Sequence, residues 1–414
     1  MLTPRPEQHA AQGFVSRDRD RACVVVHGDV NALSIVRSLG RLGITVHALN
    51  DAGSPVLSSR YATPITVDCG ERERQDAWAD FLLGPAGEAL GGSVLLACSD
   101  AALRMIAARR EDLARRFVLD LSDPQAQLAM LDKQASLEIA RSAGIGHPRF
   151  WTLAPGDTVE DLEDDITYPV LVKPLDTHHF QELTGHKLLI AHTREDLGRA
   201  MSAAARAGVE FVLVEVIPGR DDQLCSYYTY LDEHGEPQFH FTKRVFRRFP
   251  CFEGPACYHM TAWVPDAAES GLRFLQHAGV RGLGHVEFKR DPRDGTLKFI
   301  ECNARFTAAN NLVGAAGFDL GVFVYDRLTS GDRLTSCQEP PGEFRRGLHL
   351  WHPVRDFRAM LELRSSGEIT VGRWARSLLH PQVLPYFAGD DPGPSLRVAR
   401  NGVEALLTRA RPRR

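Results

Sequence analysis

The sequence lacks a long apolar run and an excess of either charge. No stretch of its 414 residues approaches the run of about 20 apolar residues that a membrane-spanning helix needs. The formal net charge is only -4, because 53 acidic residues nearly balance 49 basic ones. No bulk electrostatic field would therefore draw the chain to DNA or to an anionic membrane, and both classes of protein are disfavoured.

Cysteine is also sparse, and the eight cysteines form no CxxC pair. A chain of this length can bury a core without disulfides, so neither a disulfide framework nor a zinc site is indicated. The first 20 residues have no central apolar block of the kind found in secretory signals. We interpret residues 1–20 as a flexible leader and expect a cytoplasmic protein.

The segment from about 21 to 125 predicts an open α/β domain with a parallel sheet. Ala22–His27 and Ile44–Leu49 are strand-like runs that flank a helical pattern, which is typical of a βαβ unit. A third run, Ser93–Ala97, leads into Ser99, which with Asp100 is a candidate helix cap. The turn after the first strand contains Gly28 and Asn31 but no complete GxGxxG, which argues against a dinucleotide site.

After about residue 125 the order of predicted helices and strands changes, and the new pattern predicts an α+β region. A helix over Asp123–Ala143 leads to a boundary rich in glycine and proline. Strands Pro169–Pro174 and Phe211–Glu215 flank a helix over Arg194–Ala207, and hairpins come after them. The predicted fold class is therefore α/β plus α+β.

The sharpest chemical signal is a hairpin with acidic residues on both strands. Glu301, Asn303 and Arg305 alternate along the second strand and so share one face, and Glu287 lies on the first. Carboxylate and amide oxygens suit Mg²⁺, and an arginine fork suits a phosphoryl group. The alternative is an exposed strand with a surface ion pair. Asparagine is a poor strand former, which favours the metal site at Glu287, Glu301 and Asn303.

Eight short motifs follow one another along the chain: Arg37–Gly43, Ser59–Tyr61, Ser99–Asp100, Leu131–Lys133, Tyr168–Pro174, Glu215–Gly219, Val286–Arg290 and Glu301–Arg305. With these motifs in this order, the sequence resembles the ATP-grasp superfamily, in particular predicted carboxylate-amine ligases that include D-aspartate ligase-like proteins. The resemblance covers roughly residues 22 to 330. The implied layout is a Rossmann-like domain over 21–125, a two-lobed grasp domain over 126–330 (lobes 126–213 and 214–330), and an extension over 331–414.

The resemblance also implies roles for individual residues. Lys133 and Lys173 would hold the nucleotide phosphates, and Arg305 would neutralise the transferred phosphoryl group. Lys173 ends an apolar strand, where an unpaired charge is costly, which supports its assignment independently. Further nucleotide ligands would be Glu215, Val216, Ile217, either Asp221 or Asp222 for the ribose, and Lys187. Substrate contacts would be Asn310, Asn311, His178, Gly28 and Asn31.

Two segments depart from a simple pattern. The segment Leu175–Lys187 is predicted to be a loop. Many family members have several glycines in this loop, whereas this chain has one, and its histidines and Lys187 could supply side-chain donors instead. Thr242–Pro250 combines four cations with aromatic residues, which also fits single-stranded nucleic acid. The near-neutral charge disfavours that second interpretation, and the resemblance makes Arg244 the candidate phosphate ligand there.

The predicted function is an ATP-dependent ligase that joins a carboxylate to an amine through an acyl-phosphate. The expected cofactors are ATP and Mg²⁺, with two ions and with Mn²⁺ as an alternative metal. The expected partners are a small carboxylate and an amine such as an amino acid or peptide, with no nucleic acid and no membrane; a homodimer is compatible with the resemblance. The alternatives are a non-catalytic nucleotide-binding module and an oxidoreductase.

Overall fold

A computed structural model describes residues 19–153, 157–162, 166–175, 177–186, 188–330 and 343–409. For residues 177–179, 182 and 405–409 only the backbone is described. Most of the predicted leader and the predicted ligand Lys187 lie outside the described residues, and both stay predictions.

The first part of the chain alternates strands and helices. Its elements are β1 (Cys23–Val26), α1 (Val30–Arg41), β2 (Val46–Leu49), β3 (Ala62–Ile65), α2 (Arg74–Leu83), β4 (Val94–Ala97), α3 (Asp100–Ala108) and α4 (Arg110–Ala114). Short 3₁₀ helices cover Pro55–Ser58 and Pro85–Leu90.

The middle of the chain is richer in strands. Its elements are α5 (Pro124–Leu131), α6 (Lys133–Ser142), β5 (Phe150–Trp151), β6 (Val170–Pro174), α7 (Thr177–Thr184), β7 (Leu189–Ala191), α8 (Arg194–Arg206), β8 (Phe211–Glu215), β9 (Leu224–Leu231), β10 (Phe241–Arg248), β11 (Ala256–Thr261), α9 (Pro265–His277), β12 (Gly282–Arg290) and β13 (Leu297–Asn303). A 3₁₀ helix covers Asp221–Gln223.

The last part is mainly helical. Its elements are α10 (Asn310–Ala315), α11 (Leu320–Thr329), β14 (His349–Trp351), α12 (Pro353–Ser365), α13 (Val371–Ser377), β15 (Gln382–Val383) and α14 (Gly393–Arg409). Among the described helices, none is both long enough and apolar enough to cross a membrane.

The chain divides into two compact units that interleave along the sequence. Unit 1 contains the described residues of 19–120, 308–330 and 386–409, and unit 2 contains those of 121–307 and 343–385. By contact, the later segments of unit 1 therefore group with the N-terminal sheet, although the sequence analysis assigned them to the grasp domain and the extension.

Unit 1 is built on a four-stranded sheet in the order β3-β2-β1-β4. All of its strand pairs are parallel, as the βαβ pattern predicts. Buried side chains of β1 pack against Trp78 of α2 in its core. The predicted cap is present, because the Ser99 hydroxyl accepts a hydrogen bond from the backbone of Ala102 at 3.2 Å. The predicted parallel sheet with helices is thus confirmed.

Two of the motifs that carry the family resemblance bind an acid near the C-terminal end of unit 1. Arg37 Nε and Ser59 Oγ donate to the carboxylate of Asp391 at 2.9 and 2.7 Å. The backbone of Arg60 donates to its other oxygen at 2.9 Å. Since Arg37 and Asp391 are both buried, these motif residues stabilise the packing of the C-terminal segment on this unit.

The larger sheet of unit 2 has seven strands in the order β13-β12-β9-β10-β11-β14-β15. Helix α9 packs on one face, where Phe274 stacks on Phe299 with ring centroids 4.6 Å apart. Gly271 permits this close approach, because a Cβ there would lie 2.6 Å from the Tyr227 ring. The C-terminal segment contributes β14 and β15 to this sheet, so part of the predicted extension is integral to unit 2.

The smaller sheet of unit 2 has the order β5-β8-β6-β7 and is antiparallel. Val170, Val172 and Leu213 from its strands form a core with Leu197 and Met201 of α8. The predicted strands and helix of this region are confirmed. Unit 2 thus contains one antiparallel sheet and a second sheet that is antiparallel except for the parallel pair β14–β15, which agrees with the α+β prediction.

Two local predictions were wrong. The single helix predicted over Asp123–Ala143 is broken at Asp132, whose side chain accepts the backbone N–H groups of Gln134 and Ala135 and so begins α6. The segment after β6 includes helix α7 where the sequence analysis described a loop.

Candidate functional site

Two carboxylates lie directly opposite each other on neighbouring strands of the larger sheet. The register of β12 and β13 pairs Glu287 with Glu301. Asn303 Nδ2 donates to Glu301 Oε1 at 3.4 Å, and His285 Nδ1 lies 3.6 Å from Glu287 Oε1. Like charges directly opposite are destabilising in a sheet, so this arrangement favours a bound cation.

The same register extends the polar row across the sheet. Glu287 pairs with Ser226 on β9, and Ser226 pairs with Lys243 on β10. Directly paired residues point to the same face. Glu301, Glu287, Ser226 and Lys243 therefore share one face of the sheet, which we call the acid face.

Arg244 points to the opposite face from Lys243. It pairs with Cys225, and Cys225 pairs with Phe288. Phe288 belongs with Phe299 to the aromatic cluster on the side of α9. The structure thus does not bring Arg244 together with the two acids, and it places the neighbouring Lys243 beside them.

The electrostatics of the acids reflect this crowding. Burial and the Glu301 carboxylate raise the pKa of Glu287, whereas Lys243, Arg248 and Arg305 act in the opposite direction. Three cations therefore interact electrostatically with Glu287, but none of them forms a direct ion pair with its carboxylate. Such an arrangement leaves the carboxylate oxygens available to a ligand.

The ammonium of Lys243 is itself buried. Burial lowers the pKa of Lys243, and Glu287 and Glu301 partly restore it. An ammonium group that is removed from water needs anionic partners to remain charged. The site therefore couples a buried cation to the two acids across β9.

Arg248 reaches the acids because β10 is irregular. The pairing of β10 with β11 shifts at Val245/Arg247 and again at Arg247/Arg248, so strict alternation fails there. Arg248 binds the carboxylate of Asp221 at 2.8 and 3.0 Å. It also lowers the pKa of Lys173, which is consistent with two cations in one neighbourhood.

Lys173 and Lys133 come together at the end of β6. Burial lowers the pKa of Lys173, and Glu301 opposes this effect. Lys133 begins α6, and its ammonium donates to the carbonyl groups of Pro174 and, at 3.4 Å, Leu175. The two predicted phosphate-binding lysines thus lie near the same strand end.

The segment after β8 is held rigidly from both sides. The Glu215 carboxylate accepts the backbone N–H of Arg149 at 3.0 Å and forms a 2.6 Å ion pair with Arg293. Lys289 Nζ donates to the carbonyl groups of Ile217 and Gly219 at 2.9 and 2.7 Å. Among the described residues, the Val216 carbonyl and the Ile217 N–H have no partner.

Asp221 and Asp222 have different environments. Asp221 is buried, and besides Arg248 it accepts the backbone N–H of Phe252 at 3.2 Å. Asp222 is half-buried and accepts only the Gln223 amide, at 3.3 Å, among its described contacts. Both remain predicted ribose ligands.

Arg305 follows the acid strand, and Tyr228 donates a hydrogen bond to its backbone carbonyl at 3.3 Å. Tyr228 also packs against His285, with ring centroids 5.1 Å apart. Burial holds the pKa of His285 well below its ordinary value, and Lys243 and Arg305 add to this effect. A neutral imidazole therefore lies beside the predicted metal ligand Glu287.

Several tentative substrate residues belong to unit 1. Asn31 Nδ2 donates to the Cys98 carbonyl at 2.6 Å, and its Oδ1 accepts the Asp29 N–H at 2.9 Å. Gly28 has a φ of +100°, and a Cβ there would lie 2.7 Å from Cys98 Cβ. The two hydrogen bonds of Asn31 stabilise the turn. A substrate role for Gly28 or Asn31 stays a prediction.

The remaining tentative residues are placed by their helices. Asn310 is buried and Asn311 is half-buried at the start of α10 in unit 1. His178 lies in α7, where only the backbone is described. Their substrate roles also stay predictions.

The donor set of the acid face fits a magnesium ion. Across the part of the chain that the structure describes, no group of three or more His, Cys, Asp or Glu residues is arranged to hold a metal ion. An ion here would depend on Glu287, Glu301, the amide oxygen of Asn303, water and substrate oxygens. That combination suits Mg²⁺, which typically keeps several waters and binds through one or two carboxylates plus phosphates.

Sequence reasoning missed four residues of this neighbourhood. They are Lys243, Arg248, His285 and Lys289. Alternation along the strand could have found His285 and Lys289, because both are two residues from Glu287. Lys243 and Arg248 required the cross-strand register and the irregularity of β10.

The chain resembles several known ligases, although no protein-family model matches it. It is 30% identical over 120 residues to a putative D-alanine–D-lactate ligase of Streptomyces coelicolor, a match that covers 27% of this chain and 32% of that one. It is 26% identical to the D-alanine–D-alanine ligase of Xanthomonas axonopodis over 49% of this chain and 64% of that one. The chain thus spans between about a third and two thirds of the length of these relatives.

Solved structures agree on the architecture. An L-amino acid ligase from Bacillus licheniformis superposes with a TM-score of 0.60 at 18% identity, covering 79% of this chain and 78% of that one. The chain therefore has the ATP-grasp fold, as the ordered motifs predicted. The proteins that it resembles within this fold include carboxylate-amine ligases. The narrower D-aspartate ligase-like branch stays a prediction.

Proposed function

We propose that the protein is an ATP-dependent ligase that joins a carboxylate to an amine. The observation that carries the proposal is the acid face, where Glu287 opposes Glu301 with Asn303 beside them and cations around them. The relatives named above carry out ligation on amino acids, according to their names. The class of substrate proposed for this chain is accordingly an amino acid or a small peptide.

Glu287, Glu301 and Asn303 would hold Mg²⁺ against the phosphates of ATP. When bound, the metal neutralises phosphate charge and orients the phosphoryl group for transfer. The raised pKa of Glu287 supports this role, because a bound cation would compensate the burial and the repulsion by Glu301. The number of ions and a role for Mn²⁺ belong to the same proposal.

The surrounding cations would stabilise the phosphoryl group as it moves to the substrate carboxylate. Lys173 and Arg305 keep the roles predicted from the sequence, and Lys243 joins them on the acid face. Cations preorganised around a phosphoryl group supply most of the catalysis in this chemistry. An amine would then attack the acyl-phosphate, forming an amide and releasing phosphate.

The segment after β8 would bind the adenine. The Val216 carbonyl and the Ile217 N–H supply one acceptor and one donor on adjacent residues. Such a pair matches the amino group and ring nitrogen along one edge of adenine. The bonds from Lys289 and Glu215 would keep this backbone in position.

The test is ADP release by the full-length chain with Mg-ATP and pooled carboxylates and amines. Turnover that requires one member of each pool supports the proposal. No turnover with any pair, together with no Mg-ATP binding by calorimetry, would contradict it.

A non-catalytic nucleotide-binding module is the main rival. It would bind Mg-ATP without transferring the phosphoryl group. Single-turnover phosphate release, measured with enzyme in excess over ATP and with the active substrate pair present, separates the two functions. Release within one turnover is expected from the ligase only.

A further inference from the structure

A groove lies on the face of the larger sheet opposite the acids. It encloses a cavity of about 330 Å³ beside the start of α9. Its lining residues are Asp222, Gln223, Leu224, Cys225, Arg244, Trp263, Val264, Pro265, Asp266 and Arg290. All of them belong to unit 2.

The strand register separates this groove from the predicted ligase site. Arg244, Cys225 and Phe288 are paired across β10, β9 and β12, on the face that carries α9. Glu287 and Lys243 occupy the alternate positions and point to the acid face. A ligand in the groove would therefore contact a different set of side chains from those proposed to bind Mg²⁺ and the phosphates. Asp222, one of the two candidate ribose ligands, also lines the groove.

Two of the charged side chains that line the groove form no ion pair with another described residue. Arg244 is exposed, and its guanidinium forms no hydrogen bond or ion pair with any described residue. Asp222 accepts only the long Gln223 contact of 3.3 Å. By contrast, Arg290 and Asp266 neutralise each other in an ion pair of 2.5 Å. Asp222 also acts electrostatically on Lys289, but it forms no ion pair with a described residue. The groove thus offers one cation and one anion that no ion pair neutralises.

The rest of the lining is largely apolar. Trp263, Val264 and Pro265 form one wall, and Trp263 is half-buried with an edge contact to Phe344 at 6.3 Å. Cys225 is buried at the base, and burial raises the pKa of its thiol to about 12, so the thiol is neutral. An aromatic or aliphatic group would gain contact area here.

We propose that this groove binds a free zwitterionic amino acid with an apolar side chain. Its carboxylate would pair with Arg244, its ammonium with Asp222, and its side chain would pack against Trp263. The balance of one available cation and one available anion selects a zwitterion over a simple anion or cation. The cavity volume accommodates a single amino acid.

The experiment is calorimetric titration of the full-length chain with L-phenylalanine in the absence of ATP. Phenylacetate and phenethylamine, which each lack one of the two charges, serve as matched probes. L-Phenylalanine is expected to bind at least about tenfold more tightly than either, because each charge-assisted contact contributes to affinity. Equal affinity for a half-probe, or no binding of L-phenylalanine, would overturn the proposal.

Variants assign the binding to the groove. Arg244→Gln and Asp222→Asn should each weaken L-phenylalanine binding about tenfold or more. The control Arg206→Gln removes an exposed arginine from α8 and should leave the affinity unchanged. If Lys243→Gln abolishes binding and Arg244→Gln does not, the amino acid binds on the acid face and the groove proposal fails.

The proposal does not depend on the ligase function. Glu301→Gln should bind L-phenylalanine like the parent chain even if that variant has no turnover. Thermal midpoints of all variants are measured alongside, so that unfolding is not mistaken for loss of the site.

Discussion

Asp356 and Glu287 are acids on opposite sides of the same sheet, and their partners differ completely. Asp356 is fully buried, and Arg247 donates to its two oxygens at 2.5 and 3.1 Å. Trp351 and Trp374 add indole N–H donors at 3.1 and 2.8 Å. Glu287 instead faces another carboxylate.

The contrast distinguishes a structural acid from a candidate functional one. Both carboxylate oxygens of Asp356 accept hydrogen bonds within the fold, and these bonds join α12 and α13 to β10. Glu287 and Glu301 have too few donors for their charge, so the fold gains little from them. Substitutions should therefore affect stability at the first site and activity at the second.

The largest effect is expected at the satisfied acid. Asp356→Asn removes the charge that compensates the buried Arg247 guanidinium, and should lower the free energy of unfolding by about 3–5 kcal/mol. Urea unfolding measures the change. A loss of stability below about 1 kcal/mol would contradict the structural role assigned to Asp356, because exposed ion pairs contribute in that range.

At the unsatisfied acids the loss should be in turnover. Glu301→Gln should reduce kcat by about 10²–10³-fold, the range found when one preorganised electrostatic group is removed. Its thermal midpoint should stay level or rise, because a repulsion is relieved. A variant that loses its fold instead would favour a structural role for the acid hairpin.

The third prediction compares adjacent residues of β10. Lys243→Gln should lower kcat/KM about 10–100-fold, the range for a hydrogen bond to a charged group. Arg244→Gln should cause a smaller loss, since the register turns it away from the acids. Steady-state kinetics of both variants provide the measurement, and the reverse ranking would contradict the assignment of faces.

The smallest effect is a pH dependence of stability. Burial, with Lys243 and His349 nearby, holds the pKa of His259 well below its ordinary value. The unfolded chain takes up a proton below about pH 6.5 while the folded imidazole stays neutral, so stability should fall as the pH decreases. This histidine contributes a slope of up to about 1.4 kcal/mol per pH unit.

His285 and His352 also have pKa values lowered by burial and add to the same pH dependence. His259→Asn should therefore reduce the slope of stability against pH in urea unfolding between about pH 5 and 7 by its own contribution. The exposed His234 offers the matched control, and His234→Asn should leave the slope unchanged. An unchanged slope in His259→Asn would mean that the imidazole is protonated in the folded chain.

The sequence by itself determined the local pattern of the chain. Alternation predicted that Glu301 and Asn303 share a face, and apolar periodicity predicted the parallel sheet, because both depend on the short repeat of strands and helices. The family motifs were readable for the same reason, since each one lies within a few residues.

Only the tertiary structure decided which distant residues meet. The register of β9, β10 and β12 selects Lys243 over Arg244, and the irregularity after Val245 brings Arg248 towards Glu287. Asp391 binds Arg37 across more than 350 residues. Such pairings arise from packing and hydrogen bonding between strands and segments that are far apart in the chain, and local periodicity carries no information about them.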